Sequence, residues 1–164
     1  MSEKPHSLIG KRLPDEKLGE MVGGEIHTFI ASELFAVGRA VIVGMPGAFT
    51  PICSGRHLPN LVANAARLRY GGVTHLACVV TSDPFAIDSW AKQVAPSGEI
   101  QFLSDGNLSF ARALGLMSYE PSLFVGERSA RYVLLTENGI ISTVRVESSI
   151  LDVGCTAIDT LELD

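Results

Sequence analysis

Cysteine is scarce in this chain: Cys53, Cys78 and Cys155 are the only three among 164 residues. Three widely spaced thiols are too few for a disulfide scaffold and point to a reducing compartment with at most one functional disulfide. C-x-x-C is absent, which argues against a thioredoxin-type dithiol and a zinc ribbon. Basic residues are short as well. Thirteen Lys and Arg stand against eighteen Asp and Glu, a formal net charge of -5, so nucleic acid is not an expected partner. Apolar runs long enough to cross a membrane are missing, and no membrane partner is expected. The opening from Met1 to Gly10 is polar and lacks the apolar centre of a secretory signal, which makes the cytoplasm the expected location.

Repeats, low-complexity tracts and linker-like shifts in composition are also lacking, so residues 1–164 are expected to form one domain. What is present is a core. Hydrophobic residues make up 46% and charged residues 19%, a balance that excludes intrinsic disorder.

The most informative stretch is Pro46-Gly47-Ala48-Phe49-Thr50-Pro51-Ile52-Cys53. It follows the apolar run Ala40 to Met45, suited to a strand buried on both faces, and opens a segment with helical periodicity at Leu58, Leu61, Val62, Ala65 and Leu68. A strand thus enters a proline-framed turn that delivers Cys53 to a helix start. The attacking species of cysteine chemistry is the thiolate. Unpaired N–H groups and the positive end of the helix dipole favour an anion there. Cys53 reads as an activated nucleophile rather than packing.

Further along, Pro59 interrupts the helical pattern and predicts a kink, and Gly71-Gly72 predicts its end. Strands are predicted over Glu25 to Phe29, Val73 to Thr81 and Ile100 to Leu103. Ser82-Asp83-Pro84 predicts the start of a helix through Val94, and Leu108 to Leu114 a short helix. Ala130 to Leu135 and Ile140 to Val146 flank Asn138-Gly139, a strong hairpin signal. The order predicts an α/β domain with a central mixed β-sheet flanked by helices.

With these residues in view, the chain resembles a peroxiredoxin of the type-II or type-five branch. The match runs from about Gly10 to about Thr156, and its core is P-G-A-F-T-P-I-C-S-G-R-H-L-P, Pro46 to Pro59. It contains the family signature P-x-x-x-T-x-x-C at Pro46, Thr50 and Cys53. Thr74 to Phe85 with its D-P-F, Trp90, and Phe102 to Leu116 with S-D-G and A-L-G-L extend the match. Arg131 opens the strand before the hairpin, where the family places an active-site arginine. Two positions depart: Asn60 replaces a usual Gly, and Ser82 the commoner Asn.

The resemblance implies a thioredoxin-like fold and thiol-dependent reduction of hydrogen peroxide or organic hydroperoxides, with Cys53 as the peroxidatic residue. Independent chemistry supports the surrounding roles. Arg131 supplies a cation and several fixed donors for the departing oxygen. The Thr50 hydroxyl is able both to donate and to accept. The amides of Ile52 and Cys53 are candidates to cradle the peroxide, with Pro46 excluding water. The first product would be a sulfenic acid on Cys53. Neither metal nor cofactor is expected.

The resemblance also offers Cys155, after Gly154, as the resolving cysteine. Cys78 recurs in the family as well but lies in an apolar strand and reads as core. Direct reduction by an external thiol is the third possibility. Thioredoxin, glutaredoxin or glutathione is the expected reductant, and a homodimer the family-level expectation. His57, four residues after Cys53 and on the same helical face, is a packing and hydrogen-bonding residue or a base. Trp90 and Phe124 suit either the core or a dimer face. Competing functions are a general thiol–disulfide oxidoreductase and a peroxide sensor without efficient turnover.

Overall fold

A computed structural model of the chain describes residues 5–163, so residues 1–4 of the polar opening and residue 164 lie outside it. After a 3₁₀ turn at Pro5–Leu8 comes a hairpin of β1 (Lys17–Val22) and β2 (Glu25–Ile30). A single helical turn, α1 (Ala31–Leu34), leads into β3 (Arg39–Met45). Then come helix α2 (Leu58–Tyr70), β4 (Val73–Val80), helix α3 (Pro84–Val94) and β5 (Gln101–Ser104). Helix α4 (Ser109–Leu114), a small ribbon of β6 (Met117–Tyr119) and β7 (Glu127–Ser129), and the hairpin β8 (Tyr132–Glu137) and β9 (Ile140–Val146) complete the order. The main sheet has seven strands ordered β2-β1-β5-β4-β3-β8-β9. Within it β3 is parallel to β4 and antiparallel to β8. This is the expected mixed sheet of a thioredoxin-like α/β domain.

The continuous apolar character of β3 has a direct cause. Successive side chains of a strand point to opposite faces, and both faces are covered. Val41, Val43 and Met45 pack on one side with Leu58, Leu61 and Leu68 of α2 and Trp90 of α3. Ala40 and Ile42 pack on the other with Phe35, Phe110 and Tyr132. Parity carries down β8 too: Val133 and Leu135 share the α2 side, while Tyr132 and Leu134 take the opposite one. Arg131, two residues before Val133, therefore falls on the side covered by α2.

Local signals behave as their chemistry dictates. Asp83 Oδ1 accepts from the Ala86 amide at 2.8 Å and caps α3. Asn138 and Gly139 adopt φ of 49° and 78°, the pair of positive values that a two-residue hairpin turn requires. Pro59 does not kink a continuous α-helix. It sits in the first turn of α2, where a missing N–H costs little, and the irregularity lies just before it as a π-helical turn at Cys53–His57. The Leu58 amide there reaches back five residues to the Cys53 carbonyl.

The sequence reading did not anticipate β1, β6 or β7. The apolar residues of β1, Leu18, Met21 and Val22, do not alternate regularly, yet the Gly23-Gly24 pair after it, with φ of 60° and 85°, is the hairpin signal that marks it. β6 and β7 are three residues each, too short to show a period.

Candidate active site

The π-helical turn and the strand-side guanidinium meet at Cys53. Arg131 Nη1 and Nη2 both donate to Cys53 Sγ at 3.4 Å. Nη1 lies 3.0 Å from His57 Nδ1, and Nη2 donates to the Ile150 carbonyl at 2.8 Å. Arg131 Nε is buried and has no partner among the described residues. Both residues are sealed: Cys53 is 0% and Arg131 1% exposed. The nucleophile expected from the sequence is thus fully buried, within the core cluster. The sulfur is interior, faced by a cation rather than surrounded by hydrocarbon alone.

A neighbouring cavity of about 290 Å³ has Pro46, Thr50, Ile52, Leu123, Arg131 and Ile150 in its wall, so it borders the residues on either side of the sulfur, Ile52 and Arg131. Pro46 is itself buried. The amides of Ile52 and Cys53 belong to the first turn of the helix, which has no intrahelical acceptors for its leading N–H groups. The Thr50 hydroxyl donates to the Gly47 carbonyl at 3.0 Å, so its proton tightens the turn and its lone pairs remain as acceptors. A capping bond from Thr50 Oγ1 to the helix is not the one it makes.

His57 is 0% exposed and is not a base at ordinary pH. Burial first, then the Arg131 charge, holds its pKa down at about 3, against smaller opposing effects of the Thr156 carbonyl and Glu147. With Nδ1 accepting from Arg131, the proton of the neutral ring is assigned to Nε2, which donates to the Thr156 carbonyl at 3.3 Å. The imidazole orients the guanidinium and links it to the C-terminal segment.

Several neighbours of the site were not singled out from sequence. Arg128 donates to the carbonyls of Val125, Thr81 and Pro46, tying β7, the end of β4 and the signature turn together. Glu147 follows β9, and its amide donates to the Arg131 carbonyl at 3.0 Å. Neither has a local pattern that separates it from a surface charge. Ser82 and Asn60, the two departures, both have work: Ser82 Oγ accepts from the Ala48 amide at 3.0 Å, and Asn60 Oδ1 accepts from the Ile158 amide at 2.5 Å.

The three thiols are free. Cys78 is fully buried on the same side of the sheet as Cys53, in the core, and burial pushes its thiol up. Cys155 is exposed and donates from Sγ to the Val146 carbonyl at 3.3 Å, so the structure does not bring it to Cys53. Trp90 is core, its indole N–H donating to Ser54 Oγ at 2.9 Å beside Cys53. Phe124 is 94% exposed.

Comparison with known proteins follows the same lines. A model of the Redoxin family matches residues 8–157. The chain is 38% identical to peroxiredoxin-2E-2, chloroplastic, of Oryza sativa subsp. japonica, covering 85% of this chain and 64% of that protein. The chain thus spans a little under two thirds of that relative. It is 34% identical to peroxiredoxin-2C of the same plant, covering 85% and 86%. Among solved structures, reduced Prx3 of Vibrio vulnificus superposes with a TM-score of 0.85 at 34% identity, over 93% of this chain and 94% of that one. The same protein in complex with hydrogen peroxide superposes with a TM-score of 0.79 at 36% identity, over 85% and 84%.

Proposed function

The chain belongs to the Redoxin family and, within it, to the peroxiredoxins of the type-II or type-five branch; from that premise we propose that it is a thiol-dependent peroxidase acting on hydrogen peroxide and organic hydroperoxides. The observation that carries the proposal is the pair of guanidinium donors 3.4 Å from the Cys53 sulfur in a buried site. A sulfur anion there is stabilised by a cation that solvent does not screen.

In the reaction proposed, the Cys53 thiolate attacks the terminal oxygen of the hydroperoxide. The O–O bond breaks, sulfur is oxidised to the sulfenic acid, and the departing alkoxide or hydroxide leaves as alcohol or water after taking a proton. Charge builds on the departing oxygen, and Arg131 Nε, the guanidinium donor without a partner among the described residues, is the one left to meet it. Thr50, its proton engaged at Gly47, accepts from the peroxide O–H. The amides of Ile52 and Cys53 supply further donors, and Pro46 helps to keep water out.

The sulfenic acid is then reduced by a thiol. Cys155 is the internal candidate, and thioredoxin, glutaredoxin or glutathione completes the cycle. A homodimer and a cytoplasmic setting belong to the same proposal. Exposed Phe49 and Phe124, on loops that border the cavity, support the first; the scarcity of cysteine supports the second.

Peroxide consumption with each of these reductants tests the proposal. Cys53→Ser should abolish it, and turnover retained in that variant would overturn the assignment. Insulin reduction without peroxide consumption would instead favour a thiol–disulfide oxidoreductase.

A further inference from the structure

Cys155 is held outward by its neighbours. One carboxylate oxygen, Glu147 Oε1, accepts from the amide of Gly154 at 2.6 Å, the amide of Thr156 at 2.8 Å and the hydroxyl of Thr156 at 2.8 Å. These bonds bracket Cys155 on both sides. The Thr156 carbonyl faces the other way and accepts from His57, whose opposite nitrogen accepts from Arg131. Glu147 is anchored to the same place through its own amide, bonded to the Arg131 carbonyl. A continuous set of hydrogen bonds therefore runs from the Cys53 sulfur through Arg131, His57 and Thr156 to Glu147, and it ends on the turn that carries Cys155. In that arrangement Cys155 Sγ is spent on the Val146 carbonyl.

We propose that Glu147 is a positioning residue for resolution: its carboxylate latches the Gly154–Thr156 turn in the resting form, and opening of this latch is what frees Cys155 to reach the Cys53 sulfenic acid. The proposal rests on the peroxidase reading above. In the step it governs, the Cys155 sulfur attacks the sulfenic sulfur, an S–S bond forms and the S–O bond breaks. Cys155 is oxidised, the sulfenic sulfur is reduced to the disulfide level, and the hydroxide leaves as water with the thiol proton.

Two features support a latch rather than a passive contact. Burial pushes the Glu147 carboxyl up, but the bonds from Thr156 and Gly154 outweigh it and hold the group below its ordinary value. Burial, and next the Glu147 charge, push the latched Cys155 thiol up, which keeps it protonated and unreactive until it moves away.

The test is quenched-flow oxidation of the full chain by hydrogen peroxide, with alkylation and mass spectrometry of the Cys53–Cys155 disulfide. In Glu147→Ala the first-order formation of that disulfide should accelerate by about tenfold, equivalent to about 1.4 kcal/mol. Glu147→Gln keeps an acceptor oxygen and should fall between the variant and the parent. Thr156→Val, which removes one donor of the three, should accelerate less, and Thr156→Ser should restore the parent rate. An unchanged or slower disulfide step in Glu147→Ala and Thr156→Val overturns the latch, including when melting temperature falls. A Cys53 sulfenic acid, trapped by dimedone, that never yields a Cys53–Cys155 disulfide overturns the latch and leaves the peroxidase reading standing. Absence of any Cys53 oxidation overturns both.

Discussion

Arg131 donates to Cys53 from two nitrogens, sets the tautomer of His57 and holds the Ile150 carbonyl, all from one planar group. A lysine brings charge without that geometry. Arg131→Lys should therefore slow oxidation of Cys53 by about 10²-fold, the scale of losing a fixed donor at a developing oxyanion, as measured by single-turnover mixing with peroxide. His57 makes a second prediction at the same scale. Its folded pKa of about 3 lies below the ordinary 6.5, so between those values the unfolded chain binds a proton that the folded chain does not. Stability then rises with pH across that window and is lost on acidification, by up to about 1.4 kcal/mol per pH unit from this group. Urea unfolding at pH 4 to 7 should show that slope in the parent and a shallower one in His57→Asn.

At the scale of elements, the pairing of β3 with β8 depends on one missing side chain. Gly44 lies opposite Tyr132, and a Cβ there would come within 2.0 Å of the tyrosine ring. Gly44→Ala forces the ring or the strands apart. It should destabilise the domain by roughly 3 kcal/mol, the upper range for overpacking a core, and because Tyr132 adjoins Arg131 it should slow peroxide attack as well. Chemical denaturation and single-turnover kinetics check the two halves. Tyr132→Phe should be neutral or stabilising by about 1 kcal/mol, since the tyrosine hydroxyl is buried without a partner among the described residues. The π-helical turn at Cys53–His57 belongs to this scale too. It lets one helix present Cys53 and His57 to the same guanidinium while Pro59 sits where its missing N–H is harmless.

At the scale of the molecule, large apolar side chains stay exposed on the loops around the cavity: Phe49 at 52% and Phe124 at 94%. Both hold positive φ, 61° and 55°, a backbone state that costs a bulky residue energy. If a second copy covers them, Phe124→Asp should shift the chain from dimer to monomer in sedimentation velocity at micromolar concentration. An unshifted dimer would place the interface elsewhere. Within one chain, Trp90 sits where a change at Cys53 must be felt, since its indole bonds Ser54. Its fluorescence should change on oxidation of the parent and stay constant in Cys53→Ser.

What sequence alone determined here was whatever is written in contiguous residues. The strand-turn-helix unit around Cys53, the Asp83 cap and the Asn138-Gly139 hairpin are local, because steric limits and nearby hydrogen bonds dictate them within a few positions. The role of Arg131 was legible only through resemblance; as a lone residue it reads as an ordinary strand-edge charge. Tertiary structure alone decided that Cys53 is sealed, that His57 is neutral and serves the guanidinium, and that Glu147 grips the turn bearing Cys155. These depend on burial and on partners 99 residues apart in the case of His57 and Thr156, and neither solvent exclusion nor long-range pairing leaves a periodic mark on a chain.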